Sequence, residues 1–507
     1  MKPSAGLSRA FLPARSCAST ADRRNRTRLT MYPDTQLFIA GEWTNGSGGE
    51  TLPVLNPATG GEIGRVAKAT AADMDRALAS AAEAFELWRK TTARERAKLL
   101  DAAADNLRAR IEDIAPILTM EQGKPLAEAR SELRNADDVI RWFAEEAIRS
   151  YGRIIPARKP GVQQMVMKEP IGVVAAFTPW NYPVAQAIRK ICAALAAGCT
   201  VILKAAEEAP ASCAAMVRSF ADAGFPDGAI NLLYGVPSEI SEYLIPHPVI
   251  RKVSFTGSTP VGKHLTALAG AHMKRVTMEL GGHAPYIVCA DADLSSAVSM
   301  LAGHKFHNAG QVCIAPTRVL VEEPVFDNVL EDFVTAAKAV KIGDGLSDGI
   351  DMGPMANARR LDAMDRLIGD AIAKGGRLLT GGNRIGNAGF FFEPTVLADV
   401  PLDAAIMNEE PFGPVAVVNR FAGVDAAIAE ANRLPFGLAA YAFTRSQKHA
   451  QRFAEDIETG MLSINDYGLA YAEVPFNGVK DSGYGSEGGP EALETFQTIK
   501  FVSQTNL

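Results

Sequence analysis

The sequence predicts an α/β protein with a doubly wound parallel sheet, a second α/β region and a small exposed β arm. Between positions 171 and 255, short apolar runs suited to buried strands alternate with helical segments, as in right-handed βαβ crossovers. Further strand and helix patterns follow from 284 to about 464. The segment 151–168 and the tail 494–502 instead resemble exposed strands, and open strand edges invite partners.

Composition indicates a globular chain of several domains. It has 507 residues, 47% apolar and 22% charged, with a net charge of −6. The first thirty positions carry a net charge of +6, so the remainder carries −12, and a nucleic-acid partner is not expected for such an acidic body. The longest apolar run, Ile191 to Leu203, is too short and too interrupted to cross a bilayer, so no membrane partner is expected.

Residues 1–30 form a separate basic head, with seven Lys or Arg against one acid. Such a head resembles an organellar transit segment, but it also fits a disordered tail or a start codon upstream of a true beginning at Met31. The six cysteines include no C-x-x-C pair and suggest a reducing compartment. We therefore expect a cytoplasmic protein, or a mitochondrial matrix protein if the head is a true transit peptide.

The first body segment is predicted to be β, then helical. Short apolar runs broken by turn residues extend from Leu37 to Gly64, and Asn45-Gly46 is a strong hairpin signal. Thr70 stands three positions before Asp73, an acidic variant of the capping box that predicts a helix start. Helical patterning then continues from about 94 to 149, punctuated by two prolines.

The doubly wound region is predicted to place polar residues at the carboxyl ends of its strands, where such sheets bind ligands. The predicted strands are Ile171–Phe177, Thr200–Lys204, Ile230–Leu233 and Lys252–Phe255, and the predicted helices are Val184–Ala197 and Ala211–Ala223. Lys204 and Glu207 follow the second strand, and the segment Gly257 to Gly262 follows the fourth. Those glycines suit a pyrophosphate at a helix N-terminus, although without a G-x-G-x-x-G fingerprint they also fit a plain turn.

In the second α/β region, Tyr286–Cys289 is predicted to be a strand and Leu294–Phe306 a helix. Asn308 to Gly310 is predicted to end that helix and leave Cys313 on a loop. His304 and His307 share a helix face without an obvious third ligand, so no metal site is expected.

Three residue types in this chain together make a covalent catalyst. Glu279 precedes Leu280-Gly281-Gly282, and Cys313 follows 34 positions later. Asn181 lies on a turn directly after an apolar run. A thiol nucleophile, a carboxylate base and an amide oxyanion donor suit acyl chemistry. Taken singly, each also has an ordinary interpretation as a buried thiol, a capping carboxylate or a turn residue.

Ordered motifs from Phe38 to Val502 resemble the NAD(P)-dependent aldehyde dehydrogenase superfamily. They are Phe177–Pro183, Phe255–Ser258 with Gly262, Glu279–Gly282, Gly310–Cys313 and Glu409–Pro414. The resemblance implies a Rossmann-type cofactor domain, an α/β catalytic domain and a β oligomerisation arm in a homodimer or homotetramer. The corresponding boundaries are 31–150 with 171–282, 283–483, and 151–170 with 484–507.

The resemblance also implies a reaction, the oxidation of an aldehyde through a thiohemiacetal and a thioester on Cys313. Asn181 and the backbone N–H of Cys313 would meet the oxyanion, and Glu279 would activate the hydrolytic water. Because relatives that transfer the acyl group to coenzyme A commonly lack this glutamate, a free acid is the expected product. The alternatives are an acylating enzyme that uses coenzyme A and a catalytically retired binding protein.

For the cofactor, the resemblance implies contacts by Thr178, Pro179, Trp180, Lys204, Glu207, Gly257, Ser258, Gly262, Leu280, Glu410 and Phe412. Glu207 would accept hydrogen bonds from ribose hydroxyls and repel a 2′-phosphate, which favours NAD, with NADP possible. Phe412 is also compatible with a simple core position.

The motifs look closest to succinate-semialdehyde and related semialdehyde dehydrogenases. Arg189 matches an arginine that grips the distal carboxylate, although an ion pair on a helix surface or between domains is the alternative. His307 stands where those relatives often have a second arginine, and a serine expected near Ala470 or Tyr471 is absent, so Tyr471 is expected to widen the pocket. The alternative substrates are glutarate or α-ketoglutarate semialdehyde and aromatic aldehydes. Ala315 replaces a redox-partner cysteine, so no disulfide switch is expected there.

Overall fold

A computed structural model describes residues 32–505 of the chain. The expectations for the basic head, including a start at Met31, lie outside the described residues. Within residues 32–505, no helix combines the length and apolarity that a membrane crossing requires.

The secondary structure alternates between strands and helices, which are numbered in chain order. The strands are β1 (Leu37–Ile39), β2 (Glu42–Thr44), β3 (Thr51–Leu55), β4 (Glu62–Ala67), β5 (Arg153–Ile155), β6 (Val162–Pro170), β7 (Val173–Phe177), β8 (Thr200–Lys204), β9 (Ile230–Leu233), β10 (Ile250–Thr256), β11 (Arg275–Glu279), β12 (Ala284–Val288), β13 (Pro316–Glu322), β14 (Arg377–Thr380), β15 (Thr395–Ala398), β16 (Val415–Phe421), β17 (Phe436–Gly437), β18 (Ala439–Phe443), β19 (Met461–Ile464), β20 (Val479–Lys480), β21 (Gly483–Tyr484) and β22 (Gln497–Thr505). The helices are α1 (Ala71–Trp88), α2 (Ala93–Ala109), α3 (Ile111–Gln122), α4 (Leu126–Ala147), α5 (Pro183–Ala197), α6 (Pro210–Ala221), α7 (Pro237–Leu244), α8 (Thr259–Ala271), α9 (Leu294–Lys305), α10 (Phe326–Ala339), α11 (Ala358–Ala373), α12 (Val424–Asn432), α13 (Gln447–Asp456) and α14 (Gly489–Glu494).

The first sheet has eight strands in the order β2-β1-β9-β8-β7-β10-β11-β21. Its centre, from β9 to β11, is parallel, and helices connect successive strands, as the alternating pattern predicts. The side chains of β7, β8 and β9 are buried throughout, which fits their continuous apolar sequences. The predicted α/β fold class is therefore confirmed.

The second sheet has seven strands in the order β14-β15-β16-β13-β12-β18-β19 and its own apolar core. The ends of both sheets meet near residue 280, because β11 of the first sheet ends at Glu279 and β12 of the second begins at Ala284. A short return strand, β21, pairs with β11 and adds chain from near the C-terminus to the first sheet. The division into the domains given above remains a prediction.

The arm is a three-stranded sheet in the order β22-β6-β5. The tail strand β22 pairs antiparallel with β6 of the same chain along its full length, from Gln497 opposite Pro170 to Thr505 opposite Val162. Large apolar side chains of this sheet face outward, and Ile154, Ile499 and Phe501 are 72%, 69% and 58% exposed.

Of two local predictions near the start of the body, one is confirmed and one is wrong. The capping box is present, since the Thr70 side chain accepts from the Asp73 N–H and the Asp73 side chain accepts from the Thr70 N–H. The hairpin expected at Asn45-Gly46 is wrong. Instead, β1 and β2 are joined by Ala40-Gly41, whose φ values of 53° and 83° supply the left-handed turn that a two-residue hairpin needs. The strand β11 is not among the predicted strands.

Candidate active site

A cavity of about 420 Å³ lies where the two sheets meet, and side chains from both line it. The turn after β7, the turn after β10, the end of β11, the loop before β13 and the segment before β16 all contribute. Of the predicted site residues, it brings together Pro179, Trp180, Asn181, Gly257, Ser258, Glu279, Leu280, Cys313, Glu410 and Phe412.

Cys313 is presented by an unusual backbone turn. Asn308, Ala309 and Gly310 follow α9 with φ values of 49°, 52° and 69°, in the left-handed region that non-glycine residues rarely adopt. A Cβ added at Gly310 would come within 2.1 Å of the carbonyl oxygen of Gly413, so this position requires glycine. The turn ends the helix as the sequence predicts and leaves Cys313 on a loop.

Hydrogen bonds fix the loop before the cysteine. The Gln311 side chain donates from Nε2 to the Asn308 carbonyl at 3.0 Å, and its Oε1 accepts from the Ala356 N–H at 2.9 Å. Because these bonds tie the loop to the turn and to a neighbouring segment, the Cys313 backbone is held in one orientation.

Asn181 reaches this loop from the first sheet. Its Nδ2 donates to the Gln311 carbonyl at 3.0 Å, and its own backbone carbonyl accepts from Lys124 Nζ at 2.9 Å and from Asn308 Nδ2 at 3.1 Å. Since a side-chain amide has two N–H groups, this bond leaves a second donor near Cys313. Lys124 is itself buried and paired with Glu132 at 2.6 Å.

The Cys313 thiol is partly exposed to the cavity. Burial, with the nearby carboxyls of Glu410 and Glu279, raises its pKa well above the ordinary range, while the N–H groups of Cys313 and Ile314 act in the opposite direction. The resting form is therefore the thiol, and the nucleophilic thiolate requires a base or a charge change in the cleft.

Glu279 is a buried carboxyl, 2% exposed, at the carboxyl end of β11. Within residues 32–505, neither of its carboxyl oxygens has a hydrogen-bond partner. Burial and repulsion by Glu487 raise its pKa well above the ordinary value, against the attraction of Lys190 and Arg189. An unpartnered carboxyl that shares a cavity with a thiol can take up a proton from that thiol or from a water.

The cofactor half of the cavity has the features of a dinucleotide site. Gly257 and Ser258 line it directly before α8, whose N-terminal N–H groups favour an anion. Gly262 contributes differently, because a Cβ there would come within 2.2 Å of Leu280 Cδ2. Glycine therefore allows α8 to pack closely against the end of β11.

Two carboxyls, Glu410 and Glu207, are predicted to bind ribose hydroxyls. Burial raises the pKa of Glu410 to about 7, and this effect outweighs the opposing effects of the Gly282 N–H, Arg360 and Lys305. Glu207 is paired with Lys204 at the end of β8 and, like Lys204, does not line the 420 Å³ cavity. Thr178 lies beside Lys204, with its N–H donating to the Lys204 carbonyl at 3.2 Å.

The residues present fit NAD(P). The buried Thr178 hydroxyl has no partner in the described part of the chain, and Glu410 faces the backbone at Gly281, where a Cβ would lie 2.5 Å from Glu410 Oε2. Phe412 contacts Trp180 edge to face at 5.6 Å between ring centroids, so it forms a wall of the cavity and is not a plain core residue. Helix terminus, carboxyls and aromatic wall together match the phosphate, ribose and ring parts of a dinucleotide.

Several lining residues were not predicted as site residues, although Thr256 and Gly281 stand within the predicted motifs. They are Gln186, Thr256, Gly281, Asn357, Arg359 and Arg360. The two arginines and Asn357 come from the start of α11, far along the chain, and no local motif marks them. Arg360 donates to the Pro411 carbonyl and thereby supports the turn that carries Glu410 and Phe412.

On its other side, Cys313 lines a second cavity of about 170 Å³ together with Arg189, His307, Tyr182 and Phe476. Gln186 also lines both cavities. The thiol thus lies between the cofactor cavity and a smaller, more aromatic one. Such a position suits a nucleophile that must meet a substrate on one side and a cofactor on the other.

Arg189 is a buried residue of α5, 7% exposed, and not a surface residue. Its guanidinium donates to the Glu487 carbonyl at 2.5 Å and to the Ala470 carbonyl at 2.8 Å, and it lies over the Phe476 ring at 5.3 Å. A guanidinium has five N–H donors, so these bonds leave others for a ligand.

His307 and Tyr471 lie at different depths. His307 lines the 170 Å³ cavity, with Nδ1 3.1 Å from Glu128 Oε1 and its ring stacked on Tyr182 at 6.4 Å between centroids. Tyr471 is 54% exposed and lines an outer cavity of about 600 Å³. The inner and outer cavities share Asn135, Val139, Ile314 and Ala470, which makes the outer one an entrance.

Comparisons with known proteins agree with this arrangement. Residues 43–502 match the family model described as the aldehyde dehydrogenase family. The chain is 49% identical over 472 residues to 4-(hydroxymethyl)benzenesulfonate dehydrogenase of Comamonas testosteroni, covering 93% of this chain and 98% of that one. It is 44% identical over 467 residues to 3-sulfolactaldehyde dehydrogenase of Pseudomonas putida, covering 92% and 96%. The crystal structure of succinate-semialdehyde dehydrogenase from Burkholderia pseudomallei is similar with a TM-score of 0.92 at 41% identity, covering 95% of this chain and 99% of that one.

Proposed function

The chain belongs to the aldehyde dehydrogenase family and is an NAD(P)-dependent oxidoreductase, and on that premise we propose that it oxidises an aldehyde that carries an anionic group at its far end. Succinate semialdehyde, oxidised to succinate, is the leading substrate. The observation that carries the proposal is the buried Arg189 guanidinium in the same 170 Å³ cavity as the Cys313 thiol.

Covalent attack begins the reaction. Cys313 Sγ bonds to the aldehyde carbon, and the thiol proton leaves to a base in the cleft, for which Glu279 is the carboxyl that lines the same cavity. The carbonyl oxygen becomes an oxyanion as the carbon becomes tetrahedral. The second N–H of Asn181 Nδ2 and the backbone N–H of Cys313 donate to this oxygen and stabilise it.

When bound, the nicotinamide supplies the acceptor for the hydride that the tetrahedral carbon gives up. The acyl group then remains on Cys313 as a thioester. Glu279 takes a proton from a water, the hydroxide attacks the thioester carbon, and the sulfur leaves as the carboxylic acid forms. Because neither Glu279 oxygen has a hydrogen-bond partner among residues 32–505, both are available to hold that water.

Anion recognition follows from charge and burial. The buried Arg189 donates hydrogen bonds to two neutral carbonyl oxygens, so its positive charge remains available for a ligand. A carboxylate or sulfonate could accept its remaining N–H groups, and the three relatives above are named for substrates that bear one of those two anions. His307, held by Glu128, lines the same cavity and is positioned to contact the substrate.

A sulfonated aromatic aldehyde is the second candidate. Aromatic side chains line both substrate cavities, with Tyr182 and Phe476 in the inner one and Trp142, Tyr467 and Tyr471 in the outer one. The outer cavity, at about 600 Å³, has room for a benzene ring, which succinate semialdehyde with its four carbons would not fill. The relative from Comamonas testosteroni, named for a benzenesulfonate, is 49% identical.

A substrate panel tests the proposal. Succinate semialdehyde, 4-sulfobenzaldehyde, glutarate semialdehyde and an uncharged aldehyde of matched length would be assayed with NAD and with NADP separately. We expect kcat/KM for the anionic aldehydes to exceed that for the uncharged one, and NAD to be preferred because Glu207 would repel a 2′-phosphate. Equal efficiency with charged and uncharged aldehydes would contradict anion recognition, and formation of an acyl thioester only on adding coenzyme A would favour an acylating enzyme.

We further propose that the sheet β22-β6-β5 joins copies of the chain into a dimer or tetramer. Ile499 and Phe501 are exposed on one face of the sheet and Ile154 on the other, and its outer strands, β22 and β5, each have one unpaired edge in the described part of the chain. An apolar face with open strand edges is costly in water and is stabilised by a second copy.

A further inference from the structure

Away from the catalytic cleft, three residues of different chemistry converge at the far end of the second sheet. Cys289 directly follows β12, Asp291 lies in the next turn, and His449 is in the first turn of α13. One potential ligand atom from each, a sulfur, a carboxylate oxygen and a ring nitrogen, all lie within 4.8 Å of one another.

The carboxylate and the ring are oriented in ways that suit a cation. Asp291 accepts from Thr444 Oγ1 at 2.8 and 3.0 Å and from the Arg445 N–H at 3.2 Å, as the outer contacts of metal-binding carboxylates commonly do. His449 Nδ1 is buried and has no hydrogen-bond partner among the residues that the structure describes. Buried ring nitrogens are normally paired, and a metal ion is one group that a histidine nitrogen binds.

The local charge also favours a cation. A second carboxylate, that of Glu322, accepts from the Ala290 N–H at 2.6 Å. Ala290 is the residue between Cys289 and Asp291 in the sequence. The nearby guanidinium of Arg445 lies 3.9 Å from a different carboxylate, Asp293. The thiol is thus flanked by negative charge.

The geometry points to a binding site for a divalent transition metal, best Zn²⁺, formed by Cys289, Asp291 and His449. Sulfur, imidazole and carboxylate are the donors that Zn²⁺ takes in proteins, and a water completes the tetrahedron because Asp291 is exposed. Ligands of a tetrahedral zinc ion lie about 3.5 Å apart, so the three ligand atoms, all within 4.8 Å of one another, would move closer together on metal binding. On binding, the metal–sulfur bond replaces the S–H bond and the proton passes to solvent.

The position indicates a structural role. The opposite end of β12 adjoins the catalytic loop, since a Cβ at Gly282 would lie 2.9 Å from the Cys313 carbonyl oxygen. Five strand residues separate the two ends, a distance of about 16 Å. Phe453 is the one buried residue of α13, so a metal bridge from His449 to Cys289 would add a second anchor for this helix.

Cobalt spectroscopy tests the site on the full chain. Co²⁺ would be titrated into the Cys313→Ser variant, which removes the catalytic thiol as a competing ligand. We expect one equivalent of tetrahedral Co²⁺ with a sulfur-to-metal charge-transfer band, displaced by Zn²⁺. The same titration would be run on Cys313→Ser combined in turn with Cys289→Ser, His449→Gln, Asp291→Asn or Cys192→Ser. Cys192 is a buried thiol elsewhere in the fold and is the matched control.

The variants give different Co²⁺ spectra depending on whether or not the metal site exists. If the site exists, Cys289→Ser abolishes the band, and His449→Gln and Asp291→Asn each weaken Co²⁺ binding by at least the roughly 10- to 100-fold that loss of an outer contact costs, while Cys192→Ser leaves it unchanged. Asp291 is exposed, so its variant is expected to fold even if Cys289→Ser does not. No band in Cys313→Ser, or an equal band in the Asp291 and His449 variants, would overturn the proposal.

Discussion

Asn181 Nδ2 donates to the carbonyl of Gln311 at 3.0 Å, and this bond joins the turn after β7 to the loop that carries Cys313. It fixes the amide with one N–H used and a second N–H free to meet an oxyanion. Together with the bond from Asn308 Nδ2 to the Asn181 carbonyl, it aligns the two halves of the proposed active site.

Replacing Asn181 with alanine removes this donor. We expect kcat/KM to fall roughly 100- to 1,000-fold, the usual loss for one oxyanion donor, with NAD binding retained. Asn383→Ala is the matched control, because Asn383 is exposed and lines neither the cofactor cavity nor the substrate cavities. Steady-state kinetics with titration of NAD fluorescence provide the measurement, and a loss of less than about threefold would remove Asn181 from the oxyanion site.

Glu279→Gln should separate acylation from hydrolysis. Glutamine keeps the shape of the side chain but cannot take up a proton, so we expect a burst of one NADH per active site followed by slow turnover. Stopped-flow absorbance at saturating aldehyde measures both phases. A linear time course that shows no burst and proceeds at the native rate would show that another group activates the water.

The pH dependence of hydrolysis follows from the same carboxyl. Because burial and Glu487 raise the pKa of Glu279, the carboxyl is protonated at low pH and the base form accumulates only as pH rises through that elevated value. The deacylation rate should therefore increase with pH in the native enzyme, with its midpoint above the ordinary carboxyl range. In the Glu279→Gln variant this rise of the deacylation rate with pH should disappear. An unchanged pH profile in that variant would show that another group causes the rise.

Arg189→Gln tests anion recognition. The loss of a charge-assisted hydrogen bond to a substrate carboxylate or sulfonate typically costs about 1.5 to 3 kcal/mol, so kcat/KM for the anionic aldehyde should fall roughly 10- to 150-fold. The ratio of efficiencies for anionic and uncharged aldehydes is the informative quantity, since Arg189 also supports the Glu487 and Ala470 carbonyls. Arg377→Gln, on the edge strand β14 and outside the three cavities, is the control. Equal losses for both substrates would indicate a purely structural role.

Adding charge to the exposed arm should disrupt assembly. Phe501→Glu places a carboxylate on the apolar face of β22, and we expect light scattering after gel filtration to show a smaller particle than for the native chain. Leu402→Glu, at a site that is 51% exposed between β15 and β16 of the second sheet, adds the same charge outside the arm and should leave the mass unchanged. A native chain that already runs as a monomer would contradict the proposed role of the arm.

Sequence patterns predicted the parts of the fold that local chemistry determines. Strands β8 and β9 have the predicted bounds because their continuous apolar runs are flanked by turn residues, and the Thr70 capping box forms because its partner is only three positions away. At Asn45-Gly46 the same local reasoning was wrong. There, pairing of β1 with β9 placed the hairpin turn at Ala40-Gly41 instead.

What the patterns did not predict depends on contacts across long stretches of chain. Arg359 and Arg360 reach the cofactor cavity from α11, about 180 positions after the turn that carries Asn181. Likewise, Cys289 and His449 are 160 positions apart and lie side by side only because β12 and β18 are neighbours in the second sheet. The sequence expectation of no metal site considered only His304 and His307, which stand at helical i, i+3 spacing in the sequence.

Mass spectrometry of the trapped acyl-enzyme tests the central claim most directly. Glu279→Gln enzyme would be mixed with NAD and succinate semialdehyde, quenched in acid, digested and mapped. The thioester mechanism predicts a succinyl adduct on the peptide that contains Cys313, absent when NAD is omitted and absent in Cys313→Ser. NADH formation with no adduct on that peptide, or with the adduct on another cysteine, would contradict it.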